Sequence, residues 1–84
     1  MKLIFSENAW EDYLYWQNTD KKKLKRVNIL IKDIQRNKYD GVGKPEPLKH
    51  SLFGYWSRRI NAEHRIVYKI ENNSILIAQL RYHY

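Results

Sequence analysis

Residues 55–84, YWSRRINAEHRIVYKIENNSILIAQLRYHY, decide the fold, because apolar side chains recur there at alternate positions. A period of two is typical of β-strands, and it predicts strands over residues 55–60, 65–70 and 75–84. The segments between them, NAEH and ENNS, are rich in turn-forming residues. We therefore expect three consecutive antiparallel strands joined by short turns.

The same period sorts the side chains of these strands onto two faces of the sheet. The first face is apolar, with Arg58 as its one charged exception, and is expected to carry Trp56, Ile60, Ile66, Tyr68, Ile70, Leu76, Ala78, Leu80 and Tyr82. The opposite face is polar and basic, and is expected to carry Ser57, Arg59, Arg65, Lys69, Gln79, Arg81 and His83. Helices could cover the first face, and the second is a candidate cleft.

The N-terminal part of the chain follows the helical period of 3.6 residues. Residues 2–5 read as a short strand, and Ser6 is a helix N-cap before a first amphipathic helix with Glu11 and Asp12 on its polar side. A second helix is predicted over residues 20–37, packed antiparallel to the first. The expected fold is α+β, a single domain over residues 1–84. It has a small antiparallel sheet of about four strands with two N-terminal helices packed on one face.

One long connection joins the helices to the strands. Residues 38–54 hold all three glycines and both prolines, which excludes a long regular element. Pro47 would suit the first position of a short helical turn. That turn would leave Glu46 at its cap and bring Lys49 close to Glu46.

Charge and composition restrict the class of protein. The 84 residues carry 16 Lys and Arg against nine Asp and Glu, a net charge of +7. Residues 1–20 hold one base and four acids, so the remaining chain holds 15 bases and five acids, or +10. Such an imbalance indicates a polyanionic partner, although the lysines of the second helix suit a solvated face. The longest uncharged run, residues 72–80, is too short to span a membrane, and a cytoplasmic protein is expected.

The absence of several motifs leaves acid–base chemistry as the main catalytic option. There is no cysteine, and the three histidines lie in different segments, which makes a metal site improbable. No phosphate-binding glycine loop or nucleophile elbow is present, and no cofactor is expected. RNA supplies its own nucleophile, the 2′-hydroxyl. A metal-free ribonuclease therefore needs only a base, an acid for the 5′-oxygen, and cations around the phosphate.

Four residues could fill these roles, and each also has a structural interpretation. Glu46 could be the base, or a loop cap paired with Lys49. His83 could be the acid, or an exposed histidine near the chain end. Arg59 and Arg65 flank one turn and could contact phosphate oxygens bidentately, or be solvated strand residues.

The remaining rings are divided among the chain end, the loops and the core. An exposed tyrosine at the chain end, Tyr82 or Tyr84, could stack on a base. We expect the other two histidines, His50 and His64, to lie in loops. The three tryptophans are assigned to the core, at Trp10, Trp16 and Trp56.

Four strings carry a family resemblance: KPEPLKH at 44–50, WSRRI at 56–60, EHRIVY at 63–68 and RYHY at 81–84. In this order and over the full length, they closely resemble the YoeB family of bacterial toxins, within the RelE-like superfamily. The resemblance implies an endoribonuclease, an mRNA interferase, that cuts messenger RNA in the ribosomal A site and so inhibits translation. It also implies an antitoxin partner with an acidic C-terminal segment, and a tendency to form homodimers.

The resemblance also assigns roles residue by residue. Glu46 would be the general base, His83 the general acid, and Arg65 a stabiliser of the charged transition state. The positions credited with phosphate binding and substrate placement are matched by Lys49, Arg59 and Tyr84. The alternative is a non-catalytic nucleic-acid-binding or protein-binding module on the same scaffold, as in relatives that poison gyrase.

Overall fold

Each of the two helices begins at a residue whose side chain caps its first turn. The structure, a computed structural model, describes residues 1–83. Helix α1 spans Glu7–Thr19 and α2 spans Lys21–Arg36. The Ser6 hydroxyl accepts a hydrogen bond from the Ala9 amide at 3.0 Å, and the Asp20 carboxylate accepts from two amides in the first turn of α2. Both N-termini are therefore satisfied by side chains, as oxygen-bearing cap residues predict.

The helices form an antiparallel hairpin about Asp20. The Tyr13 hydroxyl hydrogen-bonds the Asn28 side chain at 2.9 Å, and Lys23 Nζ lies 5.6 Å from the centre of the Trp16 ring. The members of each pair are nearly equidistant from Asp20 along the chain. Only antiparallel helices place such pairs in contact, so the predicted helical hairpin is confirmed.

The sheet has five strands rather than about four. Its strands are β1 (Lys2–Phe5), β2 (Glu46–Pro47), β3 (Trp56–Arg59), β4 (Arg65–Glu71) and β5 (Ser74–Gln79), in the spatial order β1-β5-β4-β3-β2. The three central strands pair antiparallel, as predicted, and β2 joins them antiparallel. Strand β1 runs parallel to β5, which makes the sheet mixed. The α+β class, with the helices against one face of the sheet, is confirmed.

A β-bulge changes the phase of the last strand. Val67 lies opposite Gln79, but its neighbour Tyr68 lies opposite Ile77, so Ala78 is an extra residue on β5. An extra residue reverses the in-and-out alternation on one side of the bulge. Projecting the period backward from Leu80 therefore assigns the wrong face to the strand before it.

The buried residues of β5 show the result. Ile75 and Ile77 are fully buried against the helices, whereas Leu76 and Ala78, which the period assigned to the core face, are only partly buried. That part of the core prediction was wrong by one position.

The end of the chain also departs from the predicted strand. Strand β5 ends at Gln79, and the chain then bends. Tyr82 is exposed rather than in the core. Arg81 does not join the polar, basic face to which the period assigns it, because its guanidinium stacks 3.6 Å from the centre of the Tyr15 ring on α1.

Pro47 does not begin a helical turn. It belongs to β2, the edge strand that pairs with β3, and the one-turn 3₁₀ helix begins three residues later, at His50–Leu52. A sheet edge tolerates proline because no neighbour is needed for the missing N–H. The residue before a proline is also held extended. Glu46 therefore lies in a strand and not at a helix cap.

The main core lies between the helices and the sheet. Its buried members are Ala9, Trp16, Val27, Leu30, Ile31, Ile34, Ile60, Ile66, Tyr68, Ile75, Ile77 and Leu80. Of the three tryptophans, Trp16 is buried, Trp56 is partly buried, and Trp10 is half exposed, contrary to its assignment. Asp12, predicted on the polar side of α1, is buried.

Arg58 is the predicted charged exception on the core face, and it is completely buried. Its guanidinium donates to the Asp33 carboxylate on α2 and to the carbonyl oxygens of three residues that follow α2: Asn37, Asp40 and Val42. The connection between α2 and β2 is therefore tied to the core through one side chain. We call residues 37–43 the anchored loop.

Two further residues, Gly41 and Tyr68, help to fit this loop against the core. Gly41 has φ +105°, and a Cβ there would lie 2.1 Å from Asp33 Oδ2, so the position requires glycine. The Tyr68 hydroxyl accepts from Arg58 Nε and donates to the Lys38 carbonyl oxygen at 2.8 Å. Burial raises the pKa of the Tyr68 phenol, which favours its protonated, donating form.

Within residues 1–83, neither helix combines the length and the apolar character that a membrane crossing demands.

Candidate functional site

The register of the sheet brings several predicted site residues to the face away from the helices. Glu46 on β2 lies opposite Ser57 on β3, and Ser57 lies opposite Val67 on β4. Two residues along, Arg59 lies opposite Arg65. Side chains directly opposite one another, and those two apart on a strand, share a face. Glu46, Arg59 and Arg65 therefore project from one face, which we call the open face.

The anchored loop adds a second connection to this region. The Arg59 amide donates to the carbonyl oxygen of Gly43 at 2.7 Å, three residues before Glu46. The Arg59 side chain is exposed. The backbone of Arg59 therefore holds the residues just before β2 in place, while its guanidinium is exposed to solvent.

Lys49 lies beside Glu46 without a helical turn between them. Both side chains are exposed and line a hollow of about 350 Å³ together with Pro47, Leu48 and His50. Lys49 precedes the 3₁₀ helix as its N-cap residue. The two residues share this hollow, but the helical turn that was expected to bring them together is absent at this position.

Arg65 is buried rather than solvated. Its Nη1 donates to the carbonyl oxygens of Asn61 at 2.7 Å, Ala62 at 3.3 Å and His64 at 3.1 Å. The guanidinium is therefore folded onto the turn between β3 and β4. These bonds use a single nitrogen of a group with five N–H donors.

The segment after β5 returns to the start of β4. The Arg65 amide donates to the Tyr82 carbonyl oxygen at 3.1 Å, so the residue that follows, His83, leaves the sheet beside Arg65. His83 is exposed. Tyr84, which the resemblance assigned to substrate placement, lies outside the described residues.

Three side chains from α1 and the β3–β4 turn hold this returning segment, residues 80–82, which we call the C-terminal turn. The Leu80 amide donates to the Asp12 carboxylate at 2.9 Å, and Trp16 Nε1 donates to the Leu80 carbonyl oxygen at 2.8 Å. The Tyr82 amide donates to His64 Nδ1 at 2.7 Å. The backbone just before His83 is thus tied to α1 and to the β3–β4 turn.

Sequence reasoning missed all three of these side chains as supports for the site. The sequence patterns place Asp12 on the polar side of α1, Trp16 in the core and His64 in a loop, and none of them indicates a contact with residues 80–82. The spacing of Ala9, Asp12 and Trp16 was a usable signal, because positions i, i+3 and i+7 share one helix face. For His64 the sequence contained no comparable signal.

The site is basic and built without a metal-binding cluster. Among the residues that the structure describes, no group of three or more His, Cys, Asp or Glu side chains could hold a metal ion. One carboxylate, two arginines, a lysine and a histidine are instead distributed along the open face and its rim. This combination can bind an anion and exchange protons with it.

Comparison with known proteins agrees with this architecture. Residues 5–84 match the family model described as YoeB-like toxin of bacterial type II toxin-antitoxin system. The chain is 62% identical to Toxin YoeB of Escherichia coli (strain K12) over 84 residues, which cover all of both chains.

Solved structures extend the comparison to the fold. A YoeB/ParE toxin from Agrobacterium tumefaciens is 45% identical with a TM-score of 0.98, and all of both chains is covered. A YoeB from Staphylococcus aureus is 53% identical with a TM-score of 0.93, covering 100% of this chain and 98% of that one. That protein has been solved as a dimer and in complex with YefM. The present chain belongs to the YoeB family of toxins of bacterial type II toxin-antitoxin systems.

Proposed function

We propose that this toxin is a ribosome-dependent endoribonuclease that cleaves messenger RNA in the ribosomal A site and thereby inhibits translation. Cleavage proceeds by general acid–base catalysis without a metal ion. The 2′-hydroxyl attacks the adjacent phosphate, and the products carry a 2′,3′-cyclic phosphate and a 5′-hydroxyl.

One observation carries the proposal: the register aligns Glu46, Arg59 and Arg65 on one face, and the C-terminal turn delivers His83 beside Arg65. Glu46 and Arg65 lie on strands separated by one other strand, which corresponds to about 10 Å across the sheet. A phosphodiester fits between side chains that lean inward over such a span. A base and an acid on opposite sides of the phosphate suit in-line displacement.

Glu46 acts as the base and His83 as the acid. The Glu46 carboxylate takes the proton from the 2′-hydroxyl as its oxygen forms a bond to phosphorus. The bond from phosphorus to the 5′-oxygen breaks, and the His83 imidazolium gives that oxygen a proton. One proton enters the enzyme and one leaves it, so the protein is restored by proton exchange with water.

The cations bind the phosphate and stabilise the extra charge of the transition state. Arg65 is held in place by the three carbonyl oxygens of its turn, and such preorganisation is the basis of electrostatic catalysis. Lys49 and Arg59 are exposed and are assigned to phosphate binding, and Tyr84 to substrate placement, as the family resemblance implies.

The partners follow from the family and from the charge. An antitoxin with an acidic C-terminal segment would complement the net charge of +7. The solved Staphylococcus aureus relatives support both an antitoxin complex and a homodimer for this chain. Ribosomes and messenger RNA place the activity in the cytoplasm.

A defined messenger incubated with the toxin, with and without ribosomes, tests the reaction. We expect cleavage that depends on ribosomes, is unchanged by EDTA, and leaves the two product ends named above. A messenger with a single 2′-deoxynucleotide at the cut site should resist cleavage, because it lacks the nucleophile. Undiminished cleavage of that messenger would rule out the mechanism.

Variants separate catalysis from binding. Glu46→Gln and His83→Gln should each lower the cleavage rate by about 10²–10⁴-fold, the usual contribution of a positioned acid or base. Glu11→Gln, the same kind of change at an exposed position of α1 on the other side of the sheet, is the matched control and should cleave normally. If both site variants still arrest translation fully, the protein is a non-catalytic binding module.

A further inference from the structure

The imidazole of His64 is buried between the β3–β4 turn, α1 and the C-terminal turn. The residue is only 6% exposed, and its ring and the Trp16 ring pack edge to face with their centroids 4.8 Å apart. Nε2 lies 3.4 Å from the Glu63 carboxylate. His64 is not one of the proposed catalytic or RNA-binding residues.

The bond from the Tyr82 amide fixes the tautomer of His64. A backbone N–H can only donate, so Nδ1, at 2.7 Å, must be the unprotonated acceptor nitrogen. The ring proton therefore resides on Nε2, on the side of Glu63. This tautomer follows from the heavy-atom geometry and from the chemistry of the two partners.

The bond holds a backbone conformation that few residues adopt. Tyr82 has φ +61°, in the left-handed region, where a residue with a Cβ is strained. Its amide is held by His64, and its carbonyl oxygen accepts from the Arg65 amide and, at 3.3 Å, from the Gln79 side chain. Hydrogen bonds therefore fix both backbone groups of Tyr82, the residue that precedes His83.

We propose that His64 is a positioning residue that sets the location of His83 through the Tyr82 backbone; this inference rests on the proposed function. His64 itself does not touch the substrate. Removing its acceptor lets Tyr82 relax toward negative φ, and the direction of the chain at His83 then changes. A displacement of about 1 Å at an acid–base group can cost about 10²-fold in rate.

Two substitutions distinguish this role from simple packing. In His64→Asn, the amide oxygen is bonded to Cγ and can take the place of Nδ1 as acceptor for the Tyr82 amide. In His64→Gln, the amide group is displaced by one bond toward the position of Nε2. Both variants lose the ring that packs on Trp16, so their losses in stability should be similar.

The experiment measures ribosome-dependent cleavage, urea unfolding, and hydrogen exchange of the Tyr82 amide by NMR for the wild type and both variants. We expect His64→Asn to retain kcat within about threefold. His64→Gln should lose at least about tenfold in kcat, with KM little changed, because substrate binding does not involve this histidine. The Tyr82 amide should exchange slowly in the wild type and in His64→Asn and faster in His64→Gln.

Two failures can be told apart. If the wild type cleaves but both variants lose kcat equally, or neither does, the positioning role is wrong while the proposed function stands. If the wild type does not cleave messenger RNA on ribosomes, the proposed function is wrong and the inference falls with it.

Discussion

Two segments lead to the proposed catalytic residues, and they are attached to the core in opposite ways. The anchored loop, residues 37–43, precedes Glu46 and is held by the guanidinium of Arg58, which also pairs with Asp33. The C-terminal turn, residues 80–82, precedes His83. It is held by separate hydrogen bonds to Asp12, Trp16 and His64.

The two segments differ in the number of side chains that hold them to the core. Arg58 alone bonds three carbonyl oxygens of the loop and the Asp33 carboxylate, so its removal would leave these four groups without that donor at once. The turn is held by separate hydrogen bonds from several side chains, so losing any one bond leaves the others in place. We expect substitutions at the loop anchor to act mainly on stability, and substitutions at the turn to act more selectively on function.

The largest effect is expected for Arg58→Met, which keeps much of the side-chain volume but removes every hydrogen bond that the guanidinium makes to the loop. Breaking a buried ion pair by removing one partner typically costs about 3–5 kcal/mol. Urea unfolding followed by circular dichroism would measure the loss.

Arg59→Met is the matched control, because the neighbouring side chain is exposed. Its effect on the free energy of unfolding should stay within about 0.5 kcal/mol. If Arg58→Met cost no more than this control, a single organising residue for the loop would be contradicted.

A smaller effect is expected for Asp12→Ala at the C-terminal turn. The Leu80 amide, which is buried, would lose its acceptor, and an unsatisfied buried donor costs about 1–3 kcal/mol. Glu11→Ala, at the adjacent exposed position of α1, should change the free energy of unfolding by less than about 0.5 kcal/mol. Equal losses for the two variants would show that this bond does not support the turn.

The smallest effect is expected from acid. The amide of Val42, and then the side chain of Arg58, hold the pKa of the Asp33 carboxyl below its ordinary value of 3.8. A carboxyl whose pKa is lowered in the folded state contributes to the free energy of unfolding. This contribution is complete above the ordinary pKa, and it is lost as the pH falls through the lower pKa of the folded state.

Urea midpoints of the wild type measured at about pH 5 and about pH 2.5 should therefore fall on acidification. The fall should be smaller in Asp33→Asn, which has no proton to gain. Some fall should persist in that variant, because Lys23 also lowers the pKa of Asp20. An equal fall in both proteins would contradict the role of Asp33.

The parts of the fold that depend on local patterns could be predicted from the sequence. Ser6 and Asp20 have side-chain acceptors suited to capping, and the period of 3.6 residues located both helices. The period of two located the central strands and placed Arg59 and Arg65 on one face of the sheet. These features are set by residues a few positions apart.

The parts that depend on distant contacts could not. The bulge at Ala78 has no glycine or proline to mark it, so the face of β5 was assigned one residue out of phase. Burial of His64 requires the C-terminal turn to fold over it, which no local pattern reveals. Arg65 was placed on the correct face, but its guanidinium turns back to the carbonyl oxygens of its own loop.

The parallel pairing of β1 with β5 has a consequence for solubility during folding. Strand β5, SILIAQ, is uncharged and rich in β-branched residues, which is typical of segments that add to the sheets of other molecules. In the folded protein β4 covers one edge of it and Lys2–Phe5 the other. A molecule in which β1 has detached exposes the unpaired edge of β5, to which a strand of a second copy could add. The four residues of β1 therefore protect the protein from aggregation. Light scattering should rise under conditions that release β1 before the rest of the sheet unfolds.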